Sequence, residues 1–380
     1  MVPKVVVLGA GFGGLELSTT LSEALGAEVD VTLIDRRISF VFGYSKLDLL
    51  FRGASVETVS MAYGAIAKPG VRFCQENVTA IDPVTRSVTT DAGHYAADYL
   101  VVALGAAYDY DSTPGVTESN SFYSLTGAER LAGVIPTFVS GHAVVGVCGV
   151  PYKCTPAPSE CALLLHDDFV GRGVRDACTI TYIAPQPSPV PPAPDAAAAL
   201  LAAFAERDIT FVPGRRIASF ERDRRLVTLD DGSEVPCDLF LGVPKHRAPQ
   251  VVLESGMAVD GFIPVEKATL ATRYPAVYAI GDCATIGVPK AGAFAESAGR
   301  AVAAQLIATV RGDPTPDPYG GFGSCYVEFG GGRVGAVRID ASGDTPPRGT
   351  FEGPSEALAA EKHEFGVRRR ARWFGLTEGS

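Results

Sequence analysis

Val5-Val6-Val7-Leu8, then Gly9-Ala10-Gly11-Phe12-Gly13-Gly14, then a helical stretch, then Val29 to Ile34 ending in Asp35, is the passage that decides the fold. It reads as strand, GxGxxG turn, helix, strand and acid. Asp35 follows Gly9 at close to the spacing at which a carboxylate meets a ribose hydroxyl. Glycine belongs at 9, 11 and 14 because backbone N–H groups at the helix N-terminus must approach a pyrophosphate with no Cβ in the way. The expectation is an α/β fold that opens with a dinucleotide-binding, Rossmann-like unit.

Working outward, Asp98 to Ala106 is a buried strand ending in small residues around Gly105, and Tyr274 to Ala284 is a second strand ending in Gly281-Asp282. With the first motif these segments resemble the FAD-binding signatures of the flavoproteins that have two dinucleotide-binding domains. The resemblance implies FAD as cofactor, with Asp282 on its ribityl and phosphate region. It also implies a discontinuous FAD domain, residues 1–112 and 246–315. A second Rossmann-like unit, 113–245, begins at the strand Ala143 to Cys148. Its turn contains Pro151, Pro156 and Pro158, which remove N–H donors where a pyrophosphate would need them. The next strand, Thr179 to Ile183, runs into Ala184-Pro185-Gln186-Pro187 with no acid for a ribose. This unit therefore reads as a degenerate nicotinamide domain. Residues 316–380 form a small C-terminal domain after the linker Gly312 to Pro316.

The 380 residues carry 33 Lys and Arg against 43 Asp and Glu, a formal charge of −10, which argues against a nucleic-acid partner. The absence of a long apolar run or leader pattern gives a soluble, cytoplasmic expectation. Eight cysteines in a chain of this length do not make a disulfide scaffold, and nothing in their spacing suggests a metal. Cys74, Cys148, Cys161, Cys178, Cys237 and Cys283 read as buried small hydrophobes. Cys154 differs. It stands just before a helix whose first turn begins near Pro158, where unpaired N–H groups favour a thiolate, and Glu160 in that turn is close enough to relay protons. Cys325 lies in the glycine-rich Tyr319 to Tyr326. The five histidines fall in no motif and read as structural or exposed.

Cys-x-x-x-Pro-x-Glu from Cys154, Pro289-Lys290-Ala291-Gly292-Ala293-Phe294-Ala295-Glu296, the Cys325 segment and Arg372-Trp373-Phe374-Gly375 together resemble the sulfide:quinone oxidoreductases and the flavoproteins of flavocytochrome c sulfide dehydrogenase. The resemblance covers nearly the whole chain. It implies that Cys154 and Cys325 are a redox pair beside the flavin, that Glu160 accepts a proton, and that Lys290 lies near the flavin and the quinone. The third cysteine of many members is missing from Asn120 to Thr126. Phe294, Phe322 and Phe374 are candidate walls for a flat acceptor site.

The implied activity is oxidation of sulfide, or of a small thiol or persulfide, with two electrons passing through FAD to a quinone or cytochrome. The alternatives are an NAD(P)H:quinone or NAD(P)H:acceptor reductase and a non-catalytic flavin electron-transfer subunit. Arg368, Arg369, Arg370 and Arg372 beside Trp373 and Phe374 offer two uses, peripheral contact with the inner face of a membrane or packing on the flavin domain. A homo-oligomer is left open.

Overall fold

A computed structural model describes residues 2–342 and 346–376. Its first sheet is five-stranded and wholly parallel, in the order Val277–Ala279, Tyr99–Val102, Lys4–Leu8, Asp30–Asp35, Val71–Gln75. The second is four-stranded and parallel, in the order Ile209–Pro213, Cys178–Ala184, Gly141–Val147, Leu239–Val243. Strands such as Val5-Val6-Val7-Leu8 are apolar at consecutive positions because both faces of the parallel sheet are buried.

The two sheets are built alike. Each inserts a three-stranded antiparallel sheet before its late strand: Val78–Asp82, Ser87–Thr90 and His94–Ala96 in the first unit, Ile217–Glu221, Leu226–Leu229 and Glu234–Pro236 in the second. The first sheet takes a strand from beyond the second unit, since Val277 pairs with Leu100. That return brings the Gly281-Asp282 turn beside the GxGxxG turn.

The C-terminal part is an antiparallel sheet, Phe322–Gly330, Arg333–Asp340 and Arg348–Ser355, followed by the helix Glu356–Phe374. Val327 and Val337 of this sheet join the second unit's apolar core, whereas Trp373 and Phe374 enter the first unit's core. The C-terminal sheet and helix thus tie the two cores together.

The end of the C-terminal helix is held by charge as well as by apolar area. Trp373 packs edge-on against Phe12 and Phe40, and its Nε1 donates to Glu16 at 2.7 Å. Glu16, fully buried, also accepts from Arg300 at 2.8 Å and from Arg372 at 3.1 Å, and Glu296 accepts from Arg369 at 2.7 Å. Burial opposes the charge on Glu16, but the bonds from Arg372, Trp373 and Arg300 outweigh it and hold the carboxyl below its usual range. Of the two uses read for the terminal cluster, packing on the first unit is the one that occupies Trp373, Phe374, Arg369 and Arg372. Glu16→Ala strands the indole N–H in the core. It should cost about 3 kcal/mol, measured by urea denaturation at matched cofactor loading.

Candidate functional site

The seven cofactor residues read from sequence gather at the carboxyl ends of adjacent parallel strands, the usual place for a ligand in an open α/β sheet. Gly9 takes a left-handed φ of 100°, and a Cβ there would lie 2.4 Å from the Ala103 carbonyl oxygen. A Cβ on Gly14 would lie 1.9 Å from the Gly9 carbonyl oxygen. Gly11 faces open space and caps the helix Phe12–Leu25 without a side-chain bond, so the first-turn N–H groups point at an uncrowded cradle. Asp35, at the end of the next strand, accepts from Ala10 N and Arg37 N at 2.8 and 2.9 Å. Gly105 and Gly281 both have positive φ and complete the rim, with half-buried Asp282 in a 3-10 turn. The helix after that turn starts ten residues on, at Gly292, so Asp282 does not cap it. Cradle, carboxylates and glycine rim fit a dinucleotide.

The corresponding turn of the second unit is filled. Tyr152 sits in the second apolar core at 5% exposure, directly after Pro151, and the helix Ala157–Gly171 has Pro156 at its N-cap position.

The turn instead presents a cysteine. Cys154 has φ 52°, a left-handed conformation that costs a side-chain-bearing residue about 1 kcal/mol or more. Its backbone N–H donates to the Lys290 carbonyl at 2.8 Å, and Tyr123 Oη donates to its carbonyl at 3.2 Å. Lys290 is therefore placed beside Cys154 by its backbone. Its ammonium points elsewhere, donating to the carbonyls of Asp282 and Ala284 at 2.8 and 3.0 Å, 3.8 Å from the centre of the Phe262 ring. Burial lowers its proton affinity, against the pull of Asp282 and Cys283.

Packing of the helix Ala157–Gly171 on the strand Phe322–Gly330 brings the third member in. Cys154, Cys325 and Glu160 lie within electrostatic reach of one another. Of the eight cysteines, all within the described residues and all free thiols, Cys154 and Cys325 alone are partly exposed. Burial pushes Glu160 up to about 7, although Lys362 and the Glu328 N–H, which donates to Glu160 Oε1 at 2.9 Å, work the other way. Burial and then Glu160 push Cys325 up to about 12.

Cys154 corrects the sequence reading. The helix N-terminus was expected to favour its thiolate, yet burial, Glu160 and Cys325 drive the thiol well above its ordinary value, and Lys46 and the Ala157 N–H only soften this. A helix dipole favours the thiolate, but desolvation by the whole fold, with the Glu160 carboxylate close by, opposes it more strongly.

Lys46 was missed by sequence reasoning. It lies in the first turn of Ser45–Phe51, and burial, Lys153 and Arg37 push it down to about 7 while Cys154 pulls it back. The only sequence signal was the aromatic run Phe40, Phe42 and Tyr44 before it. Of the three aromatic candidates, Phe294 and Phe322 lie close together, since Ser297 Oγ contacts both of their carbonyls. Phe322 is 57% exposed and Phe294 is buried against Gly323. Phe374 packs on Phe40 and Tyr63 in the first core.

Residues 3–306 match the family model for pyridine nucleotide-disulphide oxidoreductases. The chain belongs to that family. It is an FAD-binding flavoenzyme, and the fold class expected from the sequence is observed. A mitochondrial sulfide:quinone oxidoreductase of Mus musculus is 25% identical over 355 residues, covering 89% of this chain and 78% of that protein. A sulfide-quinone reductase of Aquifex aeolicus is 26% identical over 357 residues, covering 87% and 82%. The crystal structure of the Aquifex aeolicus sulfide:quinone oxidoreductase superposes with a TM-score of 0.82 at 22% identity, over 98% of this chain and 92% of that one, a likeness of fold. Among the described residues no helix is long and apolar enough to cross a membrane.

Proposed function

We propose that this flavoenzyme oxidises sulfide, or a small thiol or persulfide, at Cys154 and Cys325 and passes two electrons through FAD to a quinone. The observation that carries the reading is the convergence of the two partly exposed cysteines, from distant parts of the chain, on one buried carboxyl group. When bound, FAD supplies a two-electron acceptor and donor.

The residues supply the rest. Hydrosulfide attacks one sulfur of the oxidised cysteine pair, so the S–S bond breaks, a persulfide forms on one residue and the other leaves as thiolate. A thiolate beside Glu160 needs that carboxyl to take up or release the accompanying proton, and a group titrating near 7 does both at neutral pH. Lys46 is the cation nearest in effect to Cys154 and offsets part of the charge as it develops. Gly9, Gly11, Gly14, Asp35, Gly105, Gly281 and Asp282 would hold the dinucleotide, with Lys290 fixing both the Asp282 turn and the Cys154 backbone. The pair Phe294 and Phe322 is our candidate for the acceptor wall, without Phe374.

The NAD(P)H reductase alternative needs a nucleotide site in the second unit, where Tyr152 and Pro156 occupy the turn. Anaerobic half-reactions of the yellow protein with sulfide, NADH and NADPH, followed by reoxidation with a short-chain quinone, test the choice. Sulfide should bleach the flavin at least about a hundredfold faster than either pyridine nucleotide, and the quinone should restore the colour. Faster bleaching by NADH would reverse the assignment.

A further inference from the structure

Glu160 is 2% exposed, and each hydrosulfide oxidised to the level of elemental sulfur releases one proton along with its two electrons. The electrons have a carrier; a proton taken up by this buried carboxyl needs a way out to solvent. Behind Glu160 lies Glu328, also buried, whose backbone N–H holds Glu160 Oε1. The carboxylate of Glu328 is gripped by Lys362 Nζ on one oxygen and by Arg52 on the other at 2.9 Å, and Arg52 in turn donates to Asp48 at 2.6 Å. These groups line a cavity of about 390 Å³ that also borders on Tyr44 and His363. Lys362 reaches it from the C-terminal helix, 5.0 Å from the centre of the Tyr44 ring.

A buried Glu–Lys pair adds little stability over an apolar pair of the same volume, so its presence between a base and a polar cavity calls for another role. We propose that Lys362 and Glu328 control the proton held by Glu160, and that the cavity they line is the route by which that proton reaches solvent. The inference rests on the reading of Glu160 as the base.

The charged and titratable groups around Glu160 are Lys362 from the C-terminal helix, Glu328 and Cys325 from the strand Phe322–Gly330, Arg52 from the helix Ser45–Phe51, and Cys154, Cys161 and Tyr123 from the second unit. Lys362 is the strongest single charge acting on it and favours the carboxylate, while Glu328 opposes it. The step moves only a proton. Protonated Glu160 becomes carboxylate, and the proton passes by the Glu328–Lys362 pair to water or buffer in the cavity. Lys362 and Glu328 are positioning residues that act through Glu160.

The sign of two substitutions separates this role from a merely structural one. The carboxyl C=O band of Glu160, assigned by its loss in Glu160→Gln, is titrated by infrared difference spectroscopy of the oxidised flavin-loaded protein. Lys362→Met should raise its midpoint by about one pH unit or more, Glu328→Gln should lower it, and Lys362→Arg should keep it near the wild-type value. Ala359→Trp, which fills part of the cavity, should slow hydrogen–deuterium exchange of the band about tenfold. Unchanged midpoints in both charge variants, or unchanged exchange in the cavity variant, would overturn the proposal. The band is read without turnover, so a wild-type protein that ignores sulfide would refute the sulfide reading and leave this test standing.

Discussion

Cys154→Ser and Cys325→Ser should each slow sulfide-driven reduction of the flavin by about a thousandfold, and the double variant should be no slower than either single one. Non-additivity is the informative part. Two sulfurs that pass one persulfide between them act as a unit, and removing either removes the whole path. Serine is nearly isosteric and both residues are partly exposed, so folding and flavin content should be retained. Reduction by dithionite, which needs no cysteine, should be unaffected. Stopped-flow absorbance under anaerobic conditions reads all of these. Independent, multiplying losses in the two variants would mean that the cysteines act separately.

Glu160→Gln should move activity and stability in opposite directions. Losing the proton acceptor should slow sulfide-driven reduction about a hundredfold, and the pH dependence near neutrality should go with it. Stability follows from linkage. The folded protein raises Glu160 from 4.5 to about 7, so it favours the neutral form. The stability gained from that form is complete below the unfolded value near 4.5 and is lost as pH rises through about 7. Above that window the wild type carries a buried carboxylate and the glutamine variant does not. The variant should therefore match the wild type at pH 4 and exceed it at pH 8 to 9 by up to about 3 kcal/mol. Urea denaturation of the flavin-loaded proteins at the two pH values measures this. The result would be the familiar opposition of stability and function at an active site.

What the sequence made legible was whatever a short stretch of backbone must do by itself. Gly9, Gly11 and Gly14 are set by a turn and a helix start six residues long, and the prolines after Cys148 announce the closed second turn as directly. Cys154 and Glu160 were visible for the same reason, six residues apart on one turn and helix. The meeting of Cys154 with Cys325 was not visible in the residues themselves; only a family resemblance suggested it, because the C-terminal sheet must first dock on the helix Ala157–Gly171. The cluster of Arg52, Glu328 and Lys362 left no trace, since its members come from three distant elements and each alone looks like a solvated charge. Trp373 and Phe374 illustrate the converse. Beside four arginines they left two uses open, a membrane surface or packing on the flavin domain, and the partners that decide it, Glu16 for Trp373 and Arg372 and Glu296 for Arg369, lie more than seventy residues away. The direction of the Cys154 shift failed for a similar reason, as a local dipole was outweighed by long-range burial.

The central claim is that electrons reach the flavin by way of sulfur held on these two residues. It is tested most directly by mixing oxidised wild-type protein with one equivalent of sulfide, quenching with a thiol-blocking reagent as the flavin bleaches, and mapping peptides by mass spectrometry. An added sulfur on Cys154 or Cys325, rising and falling with flavin reduction, is the predicted result. A fully bleached flavin with no added sulfur on either residue at any time would contradict it.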